Sequence, residues 1–261
     1  MLRFSANLSL LFTDLPLQER FAAAKAAGFS AVEIQFPYSL DSRLLNDALQ
    51  THELSLVLIN VGAGDLMQGG YGLAGIPGRE QAFRREVFNT LSYVQDLDIR
   101  CINILAGRQP PDANLSQCLH TLSANVRYAA EVFQSVGITT TLEAINTFDM
   151  PDFLISNPVH MEEILSVADH PTLKMQFDCY HMQRMGIDVI SNLKHYYHQI
   201  GHIQIADVPG RGAPGTGTMP YGQIFDVIEQ LPYNGWCGAE YLPGDNGTIA
   251  SLKNWSHWRR G

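Results

Sequence analysis

Residues 138–178 read ITTTLEAINTFDMPDFLISNPVHMEEILSVADHPTLKMQFD, and the fold turns on them. Ile138–Glu143 reads as a strand, Pro158–Ala168 as a helix and Leu173–Asp178 as a second strand. Strand, helix and strand in that order make a parallel unit with a right-handed crossover. Both strands end on a carboxylate. The same alternation continues outward in both directions. Upstream, the expected strands are Arg3–Asn7, Ala31–Gln35, Leu54–Val61 and Cys101–Leu105. Between them lie the helices Pro16–Ala27, Ser42–His52, Glu80–Leu97 and Leu115–Val136. In the first of these, Leu17, Phe21, Ala24 and Ala27 share a face and Gly28 follows as a stop. Leu54–Val61 is β-branched and Leu-rich, as a strand buried on both faces should be. Downstream come helix Asp188–Gln199, strand Ile203–Ala206, helix Tyr221–Gln230, strand Trp236–Tyr241 and a helical end over Ile249–Trp258.

Eight such units in 261 residues predict a closed (β/α)8 TIM barrel, one domain spanning 1–261. The competing arrangement is an open doubly wound sheet. Its mark is a Gly-rich turn after the first strand, and Asn7–Asp14 holds no glycine. Two loops are long, Gly62–Gly78 and Asp207–Pro220. Both follow strands, so both belong at the C-terminal mouth, where barrel active sites lie. The Gly-rich one is expected to act as a lid or substrate clamp.

Composition narrows the function. The chain is 46% hydrophobic and 16% charged, so it folds rather than staying disordered. Lys and Arg number 17 against 26 Asp and Glu, a net charge of -9 that weighs against nucleic-acid binding. Cys101, Cys118, Cys179 and Cys237 form no C-x-x-C pair, so neither a disulfide framework nor a thiolate zinc site is expected. Met1–Phe12 is broken by Ser5, Asn7 and Ser9, which leaves no signal-peptide core. No apolar run reaches the ~18 residues of a membrane span. A cytoplasmic location without membrane contact is the expectation; assembly with like chains stays open.

Four late strands carry a polar residue near the same end: Glu143, Asp178, Gln204 and Glu240. In a barrel these converge on one small volume. Three carboxylates there repel one another unless a cation compensates. Oxygen donors suit Mg²⁺ or Mn²⁺ better than Zn²⁺. The bland alternative for any one of them is a solvated rim residue or a helix cap. Other candidates have two readings each. His181, three residues after Asp178, contacts substrate or metal, or caps a helix. Arg211 reaches an anionic substrate or is a solvated loop residue. Arg79 binds substrate or merely opens a helix. Trp255 and Trp258 pack a C-terminal helix on the barrel or on a partner.

The sequence resembles the hydroxypyruvate isomerase family of xylose-isomerase-like barrels, nearly end to end. The resemblance rests on Arg3-Phe4-Ser5-Ala6-Asn7, on Ala31-Val32-Glu33 with Phe36-Pro37-Tyr38, and on the loop Gly64-Asp65, Gly72-Leu73-Ala74, Pro77-Gly78-Arg79-Glu80. It extends through Leu142-Glu143-Ala144, Phe177-Asp178-Cys179-Tyr180-His181, His202-Ile203-Gln204-Ile205-Ala206 and Gly238-Ala239-Glu240-Tyr241. The resemblance implies a divalent metal, Mg²⁺ or Mn²⁺, held by Glu143, Asp178, Gln204 and Glu240. It makes Glu143 and Glu240 the acid/base pair as well. Related ketose epimerases carry a histidine where Gln204 stands, so Gln204 leans toward the hydroxypyruvate isomerase branch. Residues like His181 and Arg211 contact substrate oxygens there, and a glutamate occupies the place of Asp149, here one methylene shorter. The implied reaction converts hydroxypyruvate to 2-hydroxy-3-oxopropanoate through an enediolate, with Arg79 or Arg211 holding the substrate carboxylate. Rival activities are a 2-oxo-tetronate isomerase or ketose 3-epimerase on the same scaffold, an apurinic endonuclease, and a non-enzymatic barrel that binds a sugar acid.

Overall fold

The computed structural model describes residues 2–259; Met1, Arg260 and Gly261, the ends of the expected extent 1–261, lie outside the described residues. Its strands are β1 (Phe4–Asn7), β2 (Ala31–Ile34), β3 (Ser55–Asn60), β4 (Ile99–Leu105), β5 (Thr139–Glu143), β6 (Leu173–Asp178), β7 (Ile200–Ile205) and β8 (Cys237–Ala239). Each pairs in parallel with the next, and β8 closes on β1. The TIM barrel expected from the alternation is what forms, and the open sheet is ruled out.

The helices are α1 (Leu17–Ala26), α2 (Ser42–Thr51), α3 (Glu80–Tyr93), α4 (Leu115–Gln134), α5 (Pro158–Ala168), α6 (Cys179–Arg184), α7 (Val189–Tyr196), α8 (Tyr221–Gln230) and α9 (Gly247–Leu252). Local chemistry sets their ends. Asn157 caps α5 by accepting from the His160 N–H at 2.9 Å, and Pro158 supplies a preset φ at the first helical position. Asn114 caps α4 in the same way. Several boundaries differ from the sequence reading: α3 stops at Tyr93 rather than Leu97, and β8 stops at Ala239 rather than Tyr241, which leaves Glu240 just past the strand. The helix expected over 188–199 is α7 followed by a 3₁₀ turn, Tyr197–Gln199. Strand β7 begins at Ile200 rather than Ile203. Helix α6 was not foreseen at all. It starts directly at the tip of β6, where Asp178 Oδ1 accepts from the Tyr180 and His181 N–H groups at 2.7 and 3.2 Å.

The main core lies between the strands and the helices, with Phe21, Leu45, Phe83, Leu122, Phe133 and Ile224 fully buried. The C-terminal segment packs on the barrel as one of its two readings held. Trp255 is fully buried and meets Phe4 edge-on, with ring centroids 5.2 Å apart. The barrel interior, by contrast, is polar. Ser5, Asn7, Glu33, Asn103, Thr141, Gln176, His202 and Gln204 are all buried. All four cysteines are free and buried. Among the described residues no helix is long and apolar enough to cross a membrane.

Candidate active site

A cavity of about 160 Å³ opens at the C-terminal end of the barrel. Glu143, Asp149, His181, Arg211 and Glu240 line it, with Leu105, Ile145 and Met150 as an apolar wall. A larger hollow of about 590 Å³ lies at the other end, between Arg100, Thr139, Tyr197 and Trp236. His198 and His202 line it, but none of Glu143, Asp178, His181, Gln204, Arg211 and Glu240 does, so the smaller cavity is the candidate site.

Glu143, Asp178 and His181 form one buried group whose ligand atoms lie within 4.8 Å of one another. His181 Nε2 stands 3.9 Å from Glu143 Oε1 and 3.7 Å from Asp178 Oδ2. Asn103 Nδ2 donates to Glu143 Oε2 at 3.0 Å. Burial, then the charges of Glu240 and Asp178, push the Glu143 carboxyl well above its ordinary range, although Arg211 pulls it down. Burial raises Asp178 as well. Asp178 Oδ2 is buried with no hydrogen-bond partner, because Oδ1 alone caps α6. An orphaned carboxylate oxygen among acids is costly unless a cation or proton meets it.

His181 is neutral: burial, with the nearby Arg211 charge, lowers its pKa to about 3. Its tautomer follows from Asn146. Asn146 Oδ1 accepts from the Phe148 and Asp149 N–H groups at 3.1 and 2.9 Å, and Nδ2 donates to Asp149 Oδ2 at 3.0 Å. The amide is thereby oriented, with Nδ2 2.7 Å from His181 Nδ1. Nδ1 therefore accepts, and the ring proton sits on Nε2, facing the cavity. A protonated Nε2 suits a substrate oxygen better than a metal.

Glu240 comes from just beyond β8. Its Oε1 accepts from Asn7 Nδ2 at 3.0 Å and Gln35 Nε2 at 2.8 Å, and its Oε2 is paired with Arg211 Nη2. Burial raises the Glu240 carboxyl and Arg211 opposes that rise. Burial works against the Arg211 charge too, but Glu240, Asp178 and Glu143 outweigh it and hold the guanidinium protonated. Arg211 has φ 53°, a left-handed backbone costing about 1–2 kcal/mol for a residue with a Cβ. The loop imposes it. Asp207 is fully buried and accepts from the N–H groups of Val208, Gly215, Gly217 and Met219 at 2.9–3.0 Å. The guanidinium also lies over the Tyr180 ring at 5.4 Å, and Tyr180 donates to Asp149 Oδ2 at 2.8 Å.

Two candidates are held elsewhere. Arg79 Nη1 donates to both Asp65 oxygens at 3.0 and 2.9 Å and to the Gly72 carbonyl at 2.9 Å. It ties the Gly62–Gly78 loop to itself and does not line the cavity. Gln204 sits opposite Asp178 in the β6–β7 register, but its amide is engaged inside the barrel. Nε2 donates to Glu33 Oε1 at 2.8 Å, and Oε1 accepts from Gln176 Nε2 at 2.6 Å.

A divalent metal fits this donor set: the unpartnered Asp178 oxygen and the adjacent Glu143 carboxylate are hard donors with surplus negative charge. The sequence reading missed Glu33, Asn7, Asn103, Gln176 and Asn146, which hold the site from below. A signal for them existed. Polar residues recur at every second position, as in Ser5/Asn7, Thr139/Thr141/Glu143, Gln176/Asp178 and His202/Gln204, which marks a polar inner face along the whole strand.

The sequence model of the xylose isomerase-like TIM barrel family matches residues 21–258. The chain is 42% identical to a hydroxypyruvate isomerase of Escherichia coli (strain K12), over 93% of this chain and 94% of that one. It is 40% identical to a 2-oxo-tetronate isomerase of Cupriavidus necator, over 97% and 96%. A crystal structure described as an AP endonuclease, family 2, from Brucella melitensis superposes with a TM-score of 0.94 at 36% identity, over 99% of both chains.

Proposed function

The chain belongs to the xylose isomerase-like TIM barrel family and is an isomerase of small 2-oxo acids, and we propose that it interconverts hydroxypyruvate and 2-hydroxy-3-oxopropanoate. The observation that carries this reading is the pair of buried carboxylates, Glu143 and Glu240, lining one small cavity with Arg211 beside them. Proton transfer between adjacent carbons needs two such groups near a planar intermediate. One glutamate takes the C3 proton. The electron pair forms the C2–C3 double bond of an enediolate as O2 gains negative charge. A proton is then delivered to C2 from the same or the facing glutamate, while the C3 hydroxyl passes its proton to O2, which leaves an aldehyde at C3 and a hydroxyl at C2. Arg211 opposes the rise that burial imposes on the Glu240 carboxyl. Arg211 Nε is buried without a partner, so it remains a donor for the substrate carboxylate. The His181 Nε2–H offers a hydrogen bond to a substrate hydroxyl or carbonyl oxygen.

Glu143 and Asp178, with Gln204 and Glu240 adjoining, would hold Mg²⁺ or Mn²⁺ in this reading. Such a cation polarises a carbonyl and acidifies the neighbouring C–H bond. The cavity's modest volume and the apolar wall of Leu105, Ile145 and Met150 favour a three- or four-carbon acid over a ketohexose. The 2-oxo-tetronate isomerase among the relatives makes the four-carbon acid the second reading. The net charge of -9 weighs against a nucleic-acid substrate.

The test is NMR of hydroxypyruvate with the protein and Mg²⁺ in deuterated water, with a four-carbon 2-oxo acid and a ketohexose in parallel. Deuterium should enter C3 of hydroxypyruvate and the aldehyde should appear. Glu240→Gln should abolish both. Retained exchange in that variant removes Glu240 from the acid/base pair. Exchange only with the ketohexose overturns the substrate assignment.

A further inference from the structure

Below the cavity, at the centre of the barrel, lies a carboxylate that the reaction does not use. Glu33 on β2 is completely buried and accepts four hydrogen bonds. Ser5 Oγ and His202 Nε2 are 2.9 Å from its Oε2. Asn7 Nδ2 and Gln204 Nε2 donate to its Oε1 at 3.0 and 2.8 Å. Burial pushes the carboxyl up, but His202, Gln204 and Asn7 outweigh that and hold it below its ordinary value. Strand β8, on the far side of β1 from β2, leaves room for it. A Cβ at Gly238 would stand 2.1 Å from Glu33 Oε2, so any side chain there would displace the carboxylate.

Two of the four donors lead to the cavity. Asn7 Nδ2 also donates to Glu240 Oε1 at 3.0 Å, while Asn7 Oδ1 accepts from the Ser9 N–H at 3.0 Å, which orients the amide. Gln204 continues the chain. Its Oε1 accepts from Gln176, Gln176 Oε1 lies 3.3 Å from Thr141 Oγ1, and Thr141 Oγ1 lies 3.3 Å from Asn103 Oδ1. Asn103 then donates to Glu143. The two glutamates of the site thus stand at the two ends of one buried row of polar side chains, with the Glu33 carboxylate inside it. An ionised carboxylate only accepts. A glutamine side chain can bind either way round, but against Glu33 only one orientation works: the NH₂ group faces Glu33 and the oxygen is left for other partners.

We propose that Glu33 is the positioning residue of the site, fixing the Gln204 amide directly and Glu240 through Asn7, and so setting how tightly the site holds a divalent cation. This rests on the metal reading given above. Partners that orient ligands in this way typically govern 10–100-fold in metal affinity.

The experiment is Mn²⁺ titration followed by electron paramagnetic resonance, with no substrate present, on wild type, Glu33→Gln and Ser5→Ala. Ser5→Ala removes one bond to Glu33 but leaves both arms to the cavity intact. Circular dichroism checks that each variant folds. Where Glu33→Gln does not fold, Glu33→Asp carries the comparison, because it keeps the charge and withdraws it from Gln204 and Asn7. Glu33→Gln should weaken Mn²⁺ binding about 10–100-fold and alter the spectrum of the bound ion, while Ser5→Ala stays within about twofold of wild type. A folded Glu33 variant that binds Mn²⁺ as wild type does overturns the inference and leaves the metal reading standing. A wild-type protein that binds no Mn²⁺ removes both.

Discussion

Glu143, Asp178 and Glu240 are buried together, and each binds its proton more tightly in the folded chain than in the unfolded one. The stability they contribute is therefore greatest in acid. It drains as pH rises from the ordinary carboxylate range through their raised folded values. Glu33 and Asp149 are shifted the other way and add stability at higher pH, so the absolute curve mixes both signs. A difference isolates the effect. In the presence of a chelator, Glu143→Gln should gain thermal stability relative to wild type as pH is raised from about 5 to about 8. Added Mg²⁺ should reverse that order at the upper end, since only wild type keeps the full donor set. Parallel melting curves for the two proteins across that range would remove the carboxylate repulsion from the account.

Each long loop is folded around one aspartate. Asp65 gathers the Gly72 N–H and the Arg79 guanidinium, and a Cβ at Gly70 would stand 2.2 Å from its carboxyl carbon. Asp207 gathers four N–H groups, and a Cβ at Gly217 would collide with the Val208 carbonyl oxygen. The loop lengths were readable, because a run of glycines between a strand and a helix has few other meanings. The aspartates were not, because neither belongs to a strand-end pattern. Arg79 was expected to reach substrate as one of two readings, and a nearby acid inside its own loop captured it instead. The Arg79–Asp65 pair is partly exposed and contributes at most about 1 kcal/mol to global stability. Its loss should act locally. Arg79→Ala should leave the melting temperature nearly unchanged and sharply increase proteolytic cleavage within residues 62–78. A raised KM with unaltered cleavage would instead return Arg79 to the substrate.

The barrel closes where β1 meets β8, and the C-terminal segment covers that seam. Trp255 packs against Phe4, and its Nε1 donates to Tyr241 Oη at 3.3 Å. Tyr241 in turn shares a hydrogen bond with Ser251. Truncating a fully buried tryptophan removes its transfer energy and leaves a cavity, together about 3–5 kcal/mol. Trp255→Ala should lower the urea midpoint by that equivalent with an unchanged m-value. A loss below about 1 kcal/mol would mean that the segment only decorates the seam.

The order of elements was legible from the chain alone, because helices and buried strands write different periods into the sequence and only one closed arrangement accommodates eight alternating units of this length. The convergence of Glu143, Asp178 and Glu240 was legible for the same reason: strand tips of a parallel barrel share one end. Tertiary structure alone decided how each side chain is spent. Asp178 gives one oxygen to the start of α6 and leaves the other unpartnered beside Glu143 and His181, His181 takes its tautomer from Asn146, and Gln204 answers to Glu33 across the barrel. Those choices are made by partners far away in sequence. A hydrogen-bonding side chain commits to whichever partner burial brings within about 3 Å, and no local pattern records which one that is.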